Sequence, residues 1–247
     1  MSRPKAFTLI ELLVVLSIVA LLTSILVPAL NKAKLKVKGT VCNTRLRQLG
    51  QIFKMYVDDN GGQFMERGAG YSEGAVSWFH CIRNYHDPGD ELLFCPLATV
   101  TQDKGGRNPN MAWENTTDLG FYYEGSYGIN LYVAKEPGDP EFWGSPYVVG
   151  ASYVPLLVCS QWKDIQPYPS DEPLPYESDV WTPGPWNEMR RPCIKRHPPY
   201  YINVLFLDFS VDARTIKQLW RLKWHKNWPA GHPLPIWPAW MADVPEP

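Results

Sequence analysis

Nineteen consecutive residues, Leu12–Leu30, carry no charge, and among them only Ser17, Thr23 and Ser24 have polar side chains. As a helix rising 1.5 Å per residue such a run spans about 28 Å, close to the hydrocarbon thickness of a bilayer. A cleaved secretory signal is the competing reading, but its apolar region is usually about 7–15 residues and ends at a small-residue site. This run is longer and continues into Pro28 without one. Glu11 stands at its front. A carboxylate beside lipid is costly unless it is neutralised, paired or held near the interface. A free amino group created at Phe7 would lie four residues away; in an uncleaved chain Arg3 or Lys5 could serve instead. The residues alone leave both arrangements open.

The segment Lys5-Ala6-Phe7-Thr8-Leu9-Ile10-Glu11, followed by Leu12-Leu13-Val14-Val15, resembles the processing site and anchor helix of type IV pilin-like proteins. That group includes the pseudopilins of type II secretion. The resemblance implies cleavage after Ala6 by a prepilin peptidase on the cytoplasmic side, then N-methylation at Phe7. Glu11 would pair with a neighbouring subunit's terminal amine during assembly. Pro28 matches the family's helix-kinking proline, and proline interrupts the helical hydrogen-bond ladder. The chain departs from the family at Ala6, where glycine is usual.

Beyond Pro28 the residues Cys42, Leu46, Leu49, Phe53 and Tyr56 recur at steps of four and three, which places them on one helical face. Gly39 and Gly50 weaken the helix without ending it, and Asp58-Asp59-Asn60-Gly61-Gly62 is a strong stop. Two helices broken near Lys36–Gly39 are the alternative. The expected organisation is a leader at 1–6, a transmembrane and spine helix at 7–57, an exterior head domain at 58–225 and a Pro/Trp-rich arm at 226–247. The expected fold is α+β and pilin-like: a long N-terminal helix, its first half transmembrane, packed on a small antiparallel sheet with long irregular insertions.

Further landmarks resemble a large, planctomycete-type branch of these pseudopilin-like proteins. They are Cys95-Pro96, then Tyr127-Gly128-Ile129-Asn130, and a histidine-to-Asp-Gly signature at His197, Asn203 and Asp208. Here the His-to-Asp gap is one residue longer than the branch's, and Phe209 replaces its glycine. On its own pattern Ile202–Leu207 reads as a strand, Asp208-Phe209-Ser210 as a turn, and Val211 as the start of a partner strand. A type I′ hairpin is disfavoured, because Phe209 is a poor residue for positive φ. Trp78–Ile82, Tyr147–Val149 and Tyr153–Val158 are further strand candidates, and Thr215–Trp224 a short helix. Segments 103–120, 134–146 and 164–193 show no regular pattern. Five tryptophans (220, 224, 228, 237 and 240) lie among prolines near the C-terminus. Either this arm lays its rings on its own domain, or it presents them to a neighbouring subunit, a glycan or another apolar partner.

Charge is unevenly spread. Residues 1–50 hold eight Lys or Arg against one Glu, a net of +7, so the remainder carries −8 in a chain of net −1. The basic cluster Lys32–Arg47 suits anionic headgroups or an acidic neighbour. It opposes the positive-inside expectation for an exported domain, so topology rests on the leader resemblance. Beside an apolar run and without interleaved aromatics it does not read as a nucleic-acid site.

Cys42, Cys81, Cys95, Cys159 and Cys193 suit an oxidising exterior, and the closest two are fourteen residues apart. They are read as disulfides or buried thiols in preference to metal ligands. His80 and His86, with Cys81, Asp87 and Asp90, form no compact ligand motif. His197 is expected to bond a backbone carbonyl, and Asp208 to accept backbone hydrogen bonds in its turn. Neither a phosphate loop nor a Gly-x-Ser-x-Gly elbow is present. The expectation is therefore no enzyme, no cofactor and no metal. Structural calcium at Asp58, Asp59, Asn60 and Glu66 is a family possibility, although the spacing is not that of an EF-hand.

These features predict a structural subunit of a type II secretion pseudopilus or type IV pilus-like filament. It would be a single-pass bacterial inner-membrane protein, with its head periplasmic or exterior and extracytoplasmic after assembly. The implied partners are the bilayer, the prepilin peptidase, homologous subunits and an inner-membrane assembly platform with its own ATPase. A membrane-tethered exterior binding module for glycan or protein is the alternative, and a surface hydrolase is poorly supported.

Overall fold

A computed structural model describes residues 8–67, 77–87, 91–99, 109–116, 122–176 and 187–247. The leader and its flanking Lys5, Ala6 and Phe7 lie outside the described residues, as does Asp90. Helix α1 runs Leu9–Asp59 and contains Pro28. The chain divides into two compact units, Met1–Val37 and Lys38–Pro247.

In the first unit, α1 opens with a reciprocal cap. The Glu11 carboxylate accepts from the Thr8 N–H (2.9 Å) and hydroxyl (2.8 Å), while the Thr8 hydroxyl accepts from the Glu11 N–H (3.3 Å). This satisfies donors that a helix start leaves orphaned. The helix is long and apolar enough to cross a membrane, and its large side chains from Leu9 to Leu30 are exposed. Its three hydroxyls turn back on the helix: Ser17 donates to Leu13 O, Thr23 to Val19 O and Ser24 to Leu21 O, at 2.7–2.9 Å. Every polar side chain of the uncharged stretch is therefore satisfied within the helix, as an apolar solvent requires.

The second unit is built on the later part of α1. Cys42, Leu46, Leu49 and Phe53 are fully buried and Tyr56 is half-buried beside the buried Val57, so the stripe read from spacing is the core face up to Phe53. The helix ends where the Asp-Asp-Asn-Gly-Gly signal placed its stop. Gly61 (φ +64°) and Gly62 (φ +79°) take the left-handed conformation, and the Gly62 N–H returns to Val57 O at 2.9 Å.

The principal sheet has five strands in the order β5-β3-β4-β6-β7. These are β3 (Tyr127–Asn130), β4 (Pro155–Cys159), β5 (Asp164–Ile165), β6 (Tyr201–Phe206) and β7 (Val211–Thr215). A separate antiparallel pair joins β1 (Trp113–Thr116) to β2 (Tyr122–Gly125). The five-stranded sheet is mixed rather than antiparallel, because β5 runs parallel to β3. Along its centre Tyr127 faces Cys159 and Leu157 faces Leu205. Helix α1 lies on this sheet at β6: the Asn203 amide donates to Gly39 O at 3.2 Å. A Cβ on Gly50 would meet Leu205 Cδ1 at 3.0 Å and Phe209 O at 3.3 Å.

Several local expectations change. Trp78–Cys81 is a short helix, α2, not a strand. Its rings are claimed by packing, with Trp78 stacked on Phe53 and Phe79 on Trp113, and tertiary packing overrides strand propensity. Tyr147–Val149 forms no strand; Val149 is 99 % exposed and finds no ladder. Strand β4 begins at Pro155 rather than Tyr153, because Ala151–Tyr153 is a 3-10 turn. The Thr215–Trp224 helix is a 3-10 segment, Ile216–Arg221, at whose start the Thr215 N–H donates to the Gln218 side chain at 2.8 Å. Phe209 does take positive φ, at +66°. The turn is closed by Phe209 N–H to Phe206 O (2.9 Å) and Phe206 N–H to Ser210 O (2.8 Å), a turn that ends on a left-handed residue.

The tryptophan-rich arm lies on its own domain. Trp220, Trp224 and Trp228 are buried, and Trp237 and Trp240 are partly buried against the core. Trp220 and Trp240 donate to Asp171 O and Leu174 O at 2.7 and 2.8 Å, while buried Lys217 pairs with Glu246. The exposed aromatic platform is thereby overturned.

Gly128 is required by a close approach. A Cβ there would lie 2.6 Å from Trp162 O and 2.9 Å from both Ile165 Cδ1 and Ser160 Cβ. Gly128→Ala is expected to destabilise the domain by about 2 kcal/mol or more through overpacking, measured as a lowered denaturant midpoint.

A buried ion cluster ties β5 to the 3-10 turn Glu188–Arg190. Arg191 Nη1 reaches Asp164 Oδ1 at 2.9 Å and Glu188 Oε2 at 2.6 Å. Burial pushes the Glu188 carboxyl up to about 7, against the opposing pull of Arg191, and Asp171 up to about 6. A folded-state value raised above the unfolded one contributes stability that is present at low pH and is lost as pH rises through the folded value. Denaturant stability should therefore decline between about pH 4 and pH 7, and Glu188→Gln should flatten that decline. An unchanged slope in the variant would contradict the assignment.

Candidate metal centre

Four buried side chains from four distant segments converge beneath α1. Cys42 comes from the core face of α1, Cys95 from the turn ahead of β1, Cys159 from the end of β4 and His197 from the loop before β6. Their ligand atoms all lie within 4.8 Å of one another. Cys42 Sγ and Cys159 Sγ are 3.5 Å apart; His197 Nε2 is 3.4 Å from Cys95 Sγ and 3.3 Å from Cys159 Sγ.

Local structure fixes each ligand. Helical periodicity turns Cys42 inward with Leu46 and Leu49. The Cys95 N–H donates to the Ser126 hydroxyl, and the Ser126 N–H returns to Leu93 O at 2.9 Å, pinning that turn to the β2–β3 connection. Cys159 is set by its register opposite Tyr127. The Tyr127 hydroxyl lies 3.3 Å from Cys42 Sγ and 3.2 Å from Phe94 O. His197 is held by its own carbonyl, which accepts from the Tyr200 and Tyr201 N–H groups at 2.9 and 3.0 Å.

Next to His197, the buried Arg196 guanidinium donates to four backbone carbonyls: Pro109, Ser126, Met111 and Ser160, at 2.8–3.1 Å. Among the described residues it has no carboxylate partner. The thiols respond differently to this setting. Burial pushes Cys42 up to about 12 and Cys159 well above the ordinary thiol value. Burial also acts upward on Cys95, but hydrogen bonds from Cys159, Cys42 and His197 and the Arg196 charge outweigh it and hold Cys95 well below that value. Of the three sulfurs, negative charge is thus favoured on Cys95 alone.

This geometry corrects the expectation of no cofactor, no metal and calcium as the one candidate ion. Three thiols and an imidazole make a Cys3His set, which suits a zinc-like ion and not calcium. The calcium candidates are otherwise engaged. Asp58 is bonded to Lys54 (2.8 Å) and the Tyr147 hydroxyl (3.0 Å), Asp59 to the Tyr85 hydroxyl (2.9 Å), and Glu66 lies 3.6 Å from Lys135. None of the five cysteines is in a disulfide, and the 3.5 Å between Cys42 and Cys159 is far beyond a disulfide bond length of about 2.05 Å. His197 meets sulfur, not the expected carbonyl.

The other landmarks serve the frame. Asn130 donates to Pro155 O and Trp224 O at 2.9 and 2.8 Å and accepts from the Tyr132 N–H. Asp208 accepts from the Ser210 N–H (3.0 Å) and hydroxyl (2.6 Å), as a turn carboxylate should. Pro96 follows the ligand Cys95 in its turn, and Gly128 provides the close approach described above. Pro28 and Glu11 belong to the first unit. His80 contacts the Tyr123 hydroxyl at 3.1 Å. Sequence spacing could not assemble the four ligands, because they are 38 to 64 residues apart along the chain. Cys159 carried no signal of its own.

Comparison with known proteins bears on the other end of the chain. Residues 1–27 match the prokaryotic N-terminal methylation motif. The N-terminal segment is pilin-like. The chain is also 36 % identical over 77 residues to the type IV wide pilus major component PilA4 of Thermus thermophilus. That match covers 31 % of this chain and spans 59 % of the relative's length. No solved structure matches.

Proposed function

We propose that this chain is a non-enzymatic structural subunit of a type IV pilus-like or type II secretion pseudopilus filament. The observation that carries this reading is the exposed apolar helix, opened by the Thr8–Glu11 cap, within a segment that matches the methylation motif. A run of side chains this apolar needs lipid or equally apolar neighbours. Before assembly the bilayer supplies that environment, and in a filament the equivalent helices of other subunits do. Cleavage after Ala6 and methylation of Phe7 by a prepilin peptidase would place the new terminus beside Thr8, within reach of a neighbouring subunit's Glu11. An inner-membrane platform would drive assembly, leaving the head outside the membrane. The landmarks Cys95-Pro96, Tyr127–Asn130 and His197–Asp208 are what suggest the planctomycete-type branch of pseudopilin-like proteins.

Co-expression of the full chain with a prepilin peptidase tests the processing step. The expected product lacks residues 1–6 and carries one added methyl group on Phe7, read by intact-mass and N-terminal fragment spectra. A chain that keeps Met1 in the presence of an active peptidase would contradict it.

A further inference from the structure

We propose that Cys42, Cys95, Cys159 and His197 bind a single structural zinc ion that fastens α1 to the sheet of the second unit. Zinc bonds thiolate at about 2.3 Å and imidazole at about 2.0–2.1 Å, so a tetrahedral Cys3His site has ligand-to-ligand edges of about 3.5–3.8 Å. The measured separations of 3.5, 3.4 and 3.3 Å already approach those edges. The remaining edges lie within 4.8 Å, so the four ligand atoms surround a space the size of one ion.

Charge supplies a second, independent reason. One Zn²⁺ with three thiolates and a neutral imidazole carries a net −1. A buried site of that charge needs a buried cation, and Arg196 stands beside it with only backbone carbonyls as partners among the described residues. The metal-bound cluster and Arg196 together are neutral, whereas three neutral thiols and a neutral imidazole would leave the guanidinium without a counter-charge. The Tyr127 hydroxyl lies 3.3 Å from Cys42 Sγ and 3.2 Å from Phe94 O, so it borders the thiolates as a polar neighbour.

Soft sulfur ligands in a tetrahedral arrangement select zinc over the hard oxygen-seeking cations. All four positions are filled by protein and every ligand residue is buried, so no coordination site is left for water or substrate. The role is therefore structural. The four ligands are 53, 64 and 38 residues apart in sequence, so the ion cross-links segments that no local interaction would hold together. This inference rests on the second unit alone and stands whether or not the chain enters a filament.

The test is metal analysis of the full-length chain purified in detergent from zinc-replete cells. About one zinc per chain is expected in the wild type and in Cys81→Ser, with a loss of about tenfold or more in Cys159→Ser and His197→Ala. Because the last two variants can fail to fold, cobalt exchange of the wild type provides a second reading: a thiolate-to-cobalt charge-transfer band with tetrahedral visible bands. Wild-type protein without stoichiometric zinc, with Cys42 and Cys159 joined as a disulfide, would overturn the proposal. So would cobalt-treated protein lacking the thiolate band, or Cys81→Ser losing zinc as completely as Cys159→Ser.

Discussion

Serine in place of Cys159 should lower the melting temperature of the head by about 10–20 °C, and chelation of the wild type should do the same. Structural zinc in small domains contributes an apparent 10–16 kcal/mol at about neutral pH, comparable with the whole stability of a typical domain. Here a large apolar core shares the task, so a loss of about 5 kcal/mol is the reasonable expectation. For a domain of about 200 residues each kcal/mol moves the midpoint by about 2–4 °C. The variant also leaves two thiols and an imidazole buried without the ion that compensates them. Near-ultraviolet circular dichroism is a suitable readout, because Trp113, Trp220 and Trp224 are fully buried in the same domain. An unchanged transition in Cys159→Ser, or a stability indifferent to chelator, would show that the metal has no structural role.

Valine in place of Glu11 should reduce filament incorporation by about ten- to a hundredfold while leaving membrane insertion intact. A hydrogen bond to a charged group contributes about 1.5–3 kcal/mol, and each 1.4 kcal/mol is tenfold in an equilibrium. The substitution removes the carboxylate that accepts from Thr8, and with it the proposed partner of a neighbour's terminal amine. The helix start loses about 1 kcal/mol of capping, while the apolar run gains hydrophobicity, so insertion should not suffer. Quantifying the chain in membrane and filament fractions separates the two effects. Equal incorporation of variant and wild type would remove Glu11 from the assembly role.

The two ends of the chain differ in how much their sequence disclosed. The apolar run, the Cys42–Phe53 stripe and the Asp-Asp-Asn-Gly-Gly stop are local patterns, and each produced the expected structure because helical period and glycine conformation act over a few residues. The β6–β7 hairpin was legible for the same reason. Trp78–Cys81 was not, because what decides its conformation is contact with Phe53 and Trp113, far away in sequence. Nor was the parallel pairing of β3 with the two-residue β5. The metal centre is the extreme case. Its ligands have no mutual spacing, and three of them had a sufficient local reading: Cys42 as core stripe, Cys95 as a landmark of the family resemblance, His197 as a carbonyl partner. Only the register of Tyr127 against Cys159, together with α1 lying across β6, brings the three sulfurs and the imidazole to one point.

Shearing surface filaments from cells that express this chain, and identifying its N-terminal peptide in the sheared fraction, tests the filament role most directly. The expected result is a peptide that begins at methylated Phe7 in the filament fraction. Finding the chain only in membranes and never cross-linked to other subunits, whether processed or still carrying Met1, would contradict a filament subunit and favour a tethered exterior module.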